Sequence, residues 1–172
     1  MEKLVLLIFV FVLVGITVAA QDQPPCSAAE ARQFDFWVGT WDLEWTDGDG
    51  KKQAGTNVIN KILGGCVVEE NFTTVGGQPY HGKSHSLFDV KSGRWKQTWV
   101  DSGGEYLDFV GEFKDEKMML WRETTGKEGK TVKQRMIFSN IRPDSFEWNW
   151  ESSTDAGKTW KTNWKIFYRR KK

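Results

Sequence analysis

The chain has 172 residues, with 24 lysines and arginines against 23 aspartates and glutamates. This length suffices for one domain with a sizeable core, and the near balance of charge excludes a long-range field that would attract nucleic acid or an anionic membrane surface. Ten tryptophans and 17 glycines favour strands joined by tight turns over helices.

The first 20 residues have the features of a secretion signal. A short positively charged start precedes an unbroken apolar run, 4–14, and small residues follow it. Val18 and Ala20 suit the two key positions before a cleavage site, so we expect residues 1–20 to be removed and the mature chain to begin at Gln21. The alternative is a membrane anchor, for which an apolar stretch of about 17 residues is at the lower limit. The prediction is an exported protein, periplasmic or secreted, with no stable membrane insertion after cleavage.

Cys26 and Cys66 are the only cysteines of the sequence. Export would place them in an oxidising compartment, where an even number of cysteines favours a disulfide. The bond would close a loop of about 40 residues, for which the chain-entropy model gives about 4 kcal/mol as an upper figure. Two unrelated buried thiols are the alternative, and two cysteines are too few for a zinc cluster.

Residues 21–33 are expected to form a flexible lead-in, with one helical turn or an irregular cap within 30–36. Beyond this segment, short apolar–polar alternations recur between clusters of glycine, aspartate and asparagine, a pattern typical of β-strands. The predicted strands cover residues 37–45, 55–63, 66–75, 80–90, 94–100, 105–114, 117–124, 131–140, 145–152 and 160–169.

About ten strands with short connections predict an antiparallel meander, because parallel neighbours need a long crossover. An open sheet of this size would leave exposed edges, and closure into a barrel removes them. We therefore predict an all-β fold, an antiparallel up-and-down β-barrel that occupies residues 34–172 as a single domain. A two-sheet sandwich is the alternative, but it usually needs long Greek-key connections, which this sequence lacks.

Residues 153–160 read S-T-D-A-G-K-T-W and match the Asp-box pattern S-x-D-x-G-x-T-W. Asp155 is suited to accept hydrogen bonds from turn amides, Gly157 to adopt a positive φ, and Trp160 to pack beneath the turn. The pattern is known from sialidases, where it forms a structural hairpin away from the catalytic site. We interpret it as a folding device without a catalytic role.

His81 and His85 are the only histidines of the sequence. Four residues apart on a strand, they would face the same side about 13 Å apart along the chain. This spacing is too wide for both to bind one metal ion. The sequence therefore predicts no metal site and no cofactor.

Glu69 and Glu70 are adjacent, so on a strand their side chains point to opposite faces. One of them then faces inward, and a buried carboxylate needs a partner, for which Arg122 and Arg135 are the candidates. The sequence contains no G-x-S-x-G motif and no Cys–His arrangement that would indicate a nucleophile.

Four segments carry a resemblance to a known family. Residues 34–42 read F-D-F-W-V-G-T-W-D, residues 65–71 read G-C-V-V-E-E-N, and residues 93–101 read G-R-W-K-Q-T-W-V-D; the Asp-box is the fourth. Together they resemble an uncharacterised, mostly bacterial exported family, a domain of unknown function, over about residues 26–168. That family is thought to be related to the calycin-like barrels, which include lipocalins and fatty-acid-binding proteins. The resemblance implies a barrel with a cavity and brings no assigned substrate or catalytic residue.

The sequence supports three functional hypotheses. The first, which we favour, is a protein that binds a small apolar or amphipathic molecule inside the barrel. The second is an enzyme that uses the polar residues Glu70, Arg122 and Gln134, and the third is a structural or partner-binding barrel filled by its own tryptophans. A cavity larger than roughly 300 Å³ would separate the first from the third. The candidate ligand contacts are Glu70, Trp95, Gln97, Trp99, Arg122, Gln134, Trp148, Trp150 and Trp164.

Overall fold

The structure is a computed structural model that describes residues 26–77, 79–126 and 129–172. The predicted signal segment 1–20 and the start of the lead-in lie outside the described residues. Within those ranges, no helix has the length and apolar character needed to cross a membrane.

Ten β-strands make up most of the described chain. Successive strands pair antiparallel, and the last strand closes on the first over four residue pairs, from Trp41–Arg170 to Glu44–Phe167. This closed up-and-down barrel confirms the predicted fold. The strands are β1 Gly39–Thr46, β2 Lys52–Ile62, β3 Val67–Val75, β4 His81–Asp89, β5 Arg94–Asp101, β6 Tyr106–Lys114, β7 Lys117–Thr125, β8 Thr131–Arg142, β9 Ser145–Ser153 and β10 Lys161–Arg170.

One end of the barrel is filled by the segment that precedes β1. Two 3₁₀ turns, Ala29–Arg32 and Asp35–Trp37, make up most of this segment, which we call the plug. Phe34 of the plug is fully buried, and its ring meets those of Trp95 and Phe138 at centroid distances of 4.8 and 5.4 Å. Because these two residues belong to β5 and β8, which are not neighbours, the plug bridges separate walls of the barrel.

Arg170 fastens the plug to the last strand. Its guanidinium group donates hydrogen bonds to the carbonyl oxygens of Phe36, Val38 and Pro143, at 3.1, 2.8 and 2.7 Å. Gly39 has a φ of +132°, and a Cβ atom there would lie 2.3 Å from Nη1 of Arg170. Glycine is therefore needed at the point where the plug enters β1.

A disulfide joins Cys26 to Cys66, and this confirms the predicted pairing. Cys66 follows the short 3₁₀ turn Leu63–Gly65, which connects β2 to β3. The bond therefore ties the chain in front of the plug to the same end of the barrel that the plug fills.

The connection between β9 and β10 is the Asp-box. Asp155 accepts hydrogen bonds from the amide and the hydroxyl of Thr159, at 2.9 and 2.6 Å, and from the hydroxyl of Ser153 at 2.7 Å. Gly157 has a φ of +93°, and its carbonyl oxygen accepts a hydrogen bond from the indole of Trp160. The hydrogen bonds that Asp155 accepts, those from Thr159 most of all, lower its pKa.

Removal of the disulfide should destabilise the protein. We expect the double variant Cys26→Ser/Cys66→Ser to lose up to about 4 kcal/mol in the free energy of unfolding, because the unfolded chain regains the entropy of the opened loop. Urea unfolding of the variant and of the oxidised wild type measures the difference. An unchanged urea midpoint, or two free thiols in protein purified from its own host, would contradict this role.

Replacement of Asp155 should weaken folding and leave ligand binding unchanged. Asp155→Ala removes the acceptor for three hydrogen bonds of the turn, so we expect the melting temperature to fall by a few degrees. Lys158→Ala, an exposed position in the same turn, is the matched control and should melt like the wild type. Unchanged melting of Asp155→Ala together with altered ligand binding would refute the structural interpretation.

Candidate functional site

The barrel interior holds a cavity of about 410 Å³. Its lining begins at Trp37 of the plug and extends to the exposed Glu105 in the β5–β6 connection, so the cavity reaches the surface at the end away from the plug. This volume exceeds roughly 300 Å³, the lower bound for typical small-molecule sites. The aromatic part of the lining consists of Trp37, Phe72, Tyr80, Trp99, Phe109, Phe138, Trp148, Trp150, Trp164 and Tyr168.

Eight of the nine candidate ligand contacts line this cavity: Glu70, Gln97, Trp99, Arg122, Gln134, Trp148, Trp150 and Trp164. Trp95 does not line it. Its ring is buried against Phe34, and its indole nitrogen donates a hydrogen bond to the side chain of Gln33 at 3.0 Å. Trp95 shares the inward face of β5 with the other candidates of that strand, but it lies at the end of the barrel that the plug fills.

The two histidines are on the outer surface of β4. His81 has its Nδ1 atom 3.2 Å from the hydroxyl of Thr73, and His85 has its Nε2 atom 3.6 Å from the carboxylate of Glu69. In the described part of the chain, no group of three or more histidine, cysteine, aspartate or glutamate side chains is arranged to hold a metal ion.

Glu70 faces the interior and is held by neutral partners. Its carboxylate accepts hydrogen bonds from the amide of Asn57 at 2.7 Å and from the hydroxyl of Ser84 at 2.6 Å. Burial raises the pKa of Glu70 to about 7, although these two hydrogen bonds oppose the shift. Burial, and then the charge of Glu70, also raise the pKa of Tyr168, whose hydroxyl accepts a hydrogen bond from Asn57. The cavity wall therefore contains a carboxyl group that changes its charge near neutral pH.

The prediction that Arg122 or Arg135 pairs with the inward carboxylate, Glu70, is wrong. Arg135 lies on the outer face of the barrel and pairs with Glu151 at 2.7 Å, whereas Arg122 lines the cavity and donates a hydrogen bond to Gln134 at 3.1 Å. The strands β2 and β4 flank β3, so their inward side chains lie next to Glu70 and satisfy it instead.

The positive charge of Arg122 lies in the cavity wall and is only weakly compensated by a carboxylate. Its side chain is only 17% exposed, and the carboxylate of Asp108, whose own side chain is 75% exposed, lies 4.0 Å from Nη2. Such a long contact with an exposed carboxylate contributes little. Among the described residues, the buried Nε of Arg122 has no hydrogen-bond partner. The guanidinium group thus keeps a free donor and most of its charge for another acceptor.

Two tryptophans of the lining also carry unused donors. The indole nitrogens of Trp37 and Trp164 are buried, and neither has an acceptor within the ranges that the structure describes. Trp164 packs edge-on against Trp45 and Trp148, at centroid distances of 5.4 and 5.7 Å. A buried donor without an acceptor is costly, and most such groups in proteins are paired with protein, water or ligand.

Trp99 is fixed where the cavity reaches the surface. Its indole donates a hydrogen bond to Asp101 at 2.9 Å, and the hydroxyl of Tyr80 donates to the same carboxylate oxygen at 2.7 Å. Burial alone would raise the pKa of Asp101, but the hydrogen bonds from Tyr80, from Trp99 and from turn amides lower it. Gly82 provides space for the indole ring, because a Cβ atom at Gly82 would lie 2.0 Å from the ring of Trp99.

Sequence reasoning missed several residues of the site. Asp101 carried a usable signal, because it lies two residues after Trp99 and therefore on the same face of β5. Trp37 lies in the plug and not, as the apolar–polar alternation predicts, in the first strand. Asn57 and Tyr168 lie 111 positions apart and meet through the closure of the barrel, for which a single sequence carries no local signal.

No protein-family model matches the chain, and a comparison with curated proteins finds no match. The relation to the exported family of unknown function therefore stays a prediction. Among solved structures, the chain is similar to a redesigned β-barrel, at 12% identity and a TM-score of 0.46, and to a de novo designed fluorescence-activating β-barrel, at 17% and 0.44. Both alignments cover 84% of this chain and 100% of the designed one. Likeness at this level carries no functional conclusion.

The stability of the protein should fall as the pH rises through the pKa of Glu70. This pKa is about 7 in the folded protein and 4.5 in its ordinary state, so the folded state binds more protons between these values. The contribution of Glu70 to the free energy of unfolding is therefore highest below pH 4.5 and falls as the pH rises to about 7 and above. The total loss approaches about 3 kcal/mol. Urea unfolding at pH 5 and at pH 8 measures it.

Glu70→Gln keeps the size of the side chain without its charge and should abolish most of this pH dependence. Glu69→Gln, on the opposite face of the same strand, is the matched control and should retain it. If Glu70→Gln and the wild type lose the same stability between pH 5 and pH 8, the assignment to Glu70 is wrong.

Proposed function

We propose that the protein binds a small amphipathic molecule in the cavity of the barrel. The observation that carries this proposal is the combination of aromatic walls with buried hydrogen-bond donors that the described residues leave unpaired, on Arg122, Trp37 and Trp164. In a barrel filled only by its own side chains, each such unpaired donor would lower the stability of the fold. An apolar pocket with a few polar groups is the usual form of a small-molecule site.

The rest of the fold supports a preformed site. The disulfide and the hydrogen bonds of Arg170 hold the plug in place, and Asp101 holds the ring of Trp99. Side chains that are already ordered reduce the entropy that binding costs. We expect the ligand to enter at the end away from the plug, beside Tyr80 and Glu105.

The arrangement does not favour the enzyme hypothesis. Arg122 is bonded to Gln134 on the adjacent strand, whereas Glu70 lies on β3, four strands away around the barrel. The three residues proposed for catalysis therefore do not converge on one point of the wall.

An exported location is part of the proposal. The Cys26–Cys66 disulfide supports it, because disulfides persist chiefly in oxidising compartments. A relation to the calycin-like barrels is proposed on the sequence resemblance alone.

Binding should be measurable by calorimetry with a panel of fatty acids, isoprenoids, haem and aromatic metabolites. We expect saturable binding of at least one class. Leu107→Trp replaces a leucine of the cavity lining with a larger indole ring. This variant should have an affinity at least about tenfold lower, because the indole occupies ligand space. Native mass spectrometry of protein from its own host identifies the natural ligand.

Leu87→Trp is the matched control, since it introduces the same ring at an exposed position and should bind like the wild type. The absence of a saturable response across the panel, or equal binding by Leu107→Trp and the wild type, would exclude the cavity as the site.

A further inference from the structure

We infer that the ligand is an acid with two polar ends: an anionic group bound by Arg122, a flat apolar middle, and a neutral acceptor oxygen bound by Trp37. This inference rests on the proposed function and narrows it to a chemical class. It follows from which polar groups of the cavity already have partners among the described residues and which do not.

The anionic end is assigned from Arg122. The guanidinium group is largely buried, donates to the neutral side chain of Gln134, and keeps an unpaired Nε donor within the described chain. The carboxylate that pairs with it, that of Asp108, is 4.0 Å away. Burial of a cation is costly unless an anion is close to it. Carboxylates suit a guanidinium group in particular, because its planar donors match two oxygens of one acceptor.

The neutral end is assigned from Trp37. Its indole nitrogen is buried in the plug-end lining and, among the described residues, has no acceptor. Glu70 lines the same cavity and becomes negative near neutral pH, so a second carboxylate on the ligand would be repelled. A ketone or ether oxygen satisfies the indole without this repulsion. A plain fatty acid has no acceptor at its far end and would leave the indole of Trp37 unpaired.

The register of β8 sets the distance between the two ends. Arg122 pairs with Gln134, and the ring of Trp37 packs on Phe138 at 5.1 Å. Gln134 and Phe138 are four residues apart on one strand, which corresponds to about 13 Å. The two polar ends of the ligand therefore lie at different depths of the barrel, and a fused two-ring aromatic system with a substituent at each end has this elongated form.

The wall between the two ends is apolar and aromatic. Met136 lies between Gln134 and Phe138 on the inward face of β8 and is buried. The rings of Phe109 and Trp150 meet edge-on at 5.7 Å beside it, and both line the cavity. This surface fits the face of a flat ring system.

The probe is 6-methoxy-2-naphthoate, which has both ends, with two analogues that each lack one. 2-Naphthoate lacks the neutral acceptor, and 6-methoxy-2-naphthalenemethanol lacks the charge. We expect calorimetry to show saturable binding of the probe and a loss of at least about tenfold in affinity for each analogue. 2-Naphthoate lacks the acceptor for Trp37, and the alcohol lacks the charge and the second oxygen that pair with the guanidinium group of Arg122.

Two variants assign these losses to residues. Arg122→Met should reduce affinity for both naphthoates by at least about tenfold and leave affinity for the alcohol unchanged, and Arg122→Lys should restore part of it. Trp37→Phe should remove the advantage of the methoxy group only. Arg135→Met on the outer face and Trp95→Phe outside the cavity lining are the matched controls. Thermal melting establishes whether each variant is folded. If Trp37→Phe does not fold, the difference in affinity of the wild type for the two naphthoates tests the neutral end.

Equal affinity of the wild type for the acid and the alcohol, or an equal loss for both in Arg122→Met, would overturn the anionic end. Equal affinity for the two naphthoates would overturn the neutral end. If none of the three probes binds while a member of the ligand panel does, the inferred class is wrong and the proposed binding function stands. If the panel also fails, the proposed function is wrong as well.

Discussion

The attachment of the plug to the barrel decides which part of the interior is filled and which part is hollow. Ten antiparallel strands enclose more space than their own inward side chains fill. At one end, Phe34 and Trp37 complete the core by packing on Trp95 and Phe138, and Arg170 and the disulfide keep them there. The remaining space is the cavity, so the same contacts that stabilise the fold also set the depth of the site.

The polar groups of the cavity fall into two sets. Two carboxylates of the lining are satisfied by the protein itself: Asp101 accepts hydrogen bonds from Tyr80 and Trp99, and Glu70 accepts them from neighbouring strands. The unused groups of the lining are donors, on Arg122 and on two indoles. A cavity that offers donors within aromatic walls selects a ligand with acceptor oxygens and an apolar body. This asymmetry carries more chemical information than the volume of the cavity.

Two of the charged side chains that line the cavity, Glu70 and Arg122, are costly to bury. Glu70 loses hydration on burial, which its raised pKa reflects, and Arg122 lacks a close carboxylate among the described residues. Apolar residues of similar size at such positions often stabilise a protein. Retention of costly groups at a cavity wall is typical of binding sites, where stability is given up for recognition.

The strands, the barrel and the disulfide could be predicted from the sequence, because they depend on local or countable properties. Side chains alternate with a period of two along a strand, short connections allow only antiparallel neighbours, and two cysteines have one possible pairing. The contacts of each inward residue depend on how the strands come together in the folded barrel. The register placed Asn57 and Ser84 beside Glu70 in place of an arginine, and the plug buried Trp95 below the cavity while its strand neighbours line it. Alternation assigns residues to a face, but only closure of the barrel determines which groups share a depth and which donors are left without an acceptor.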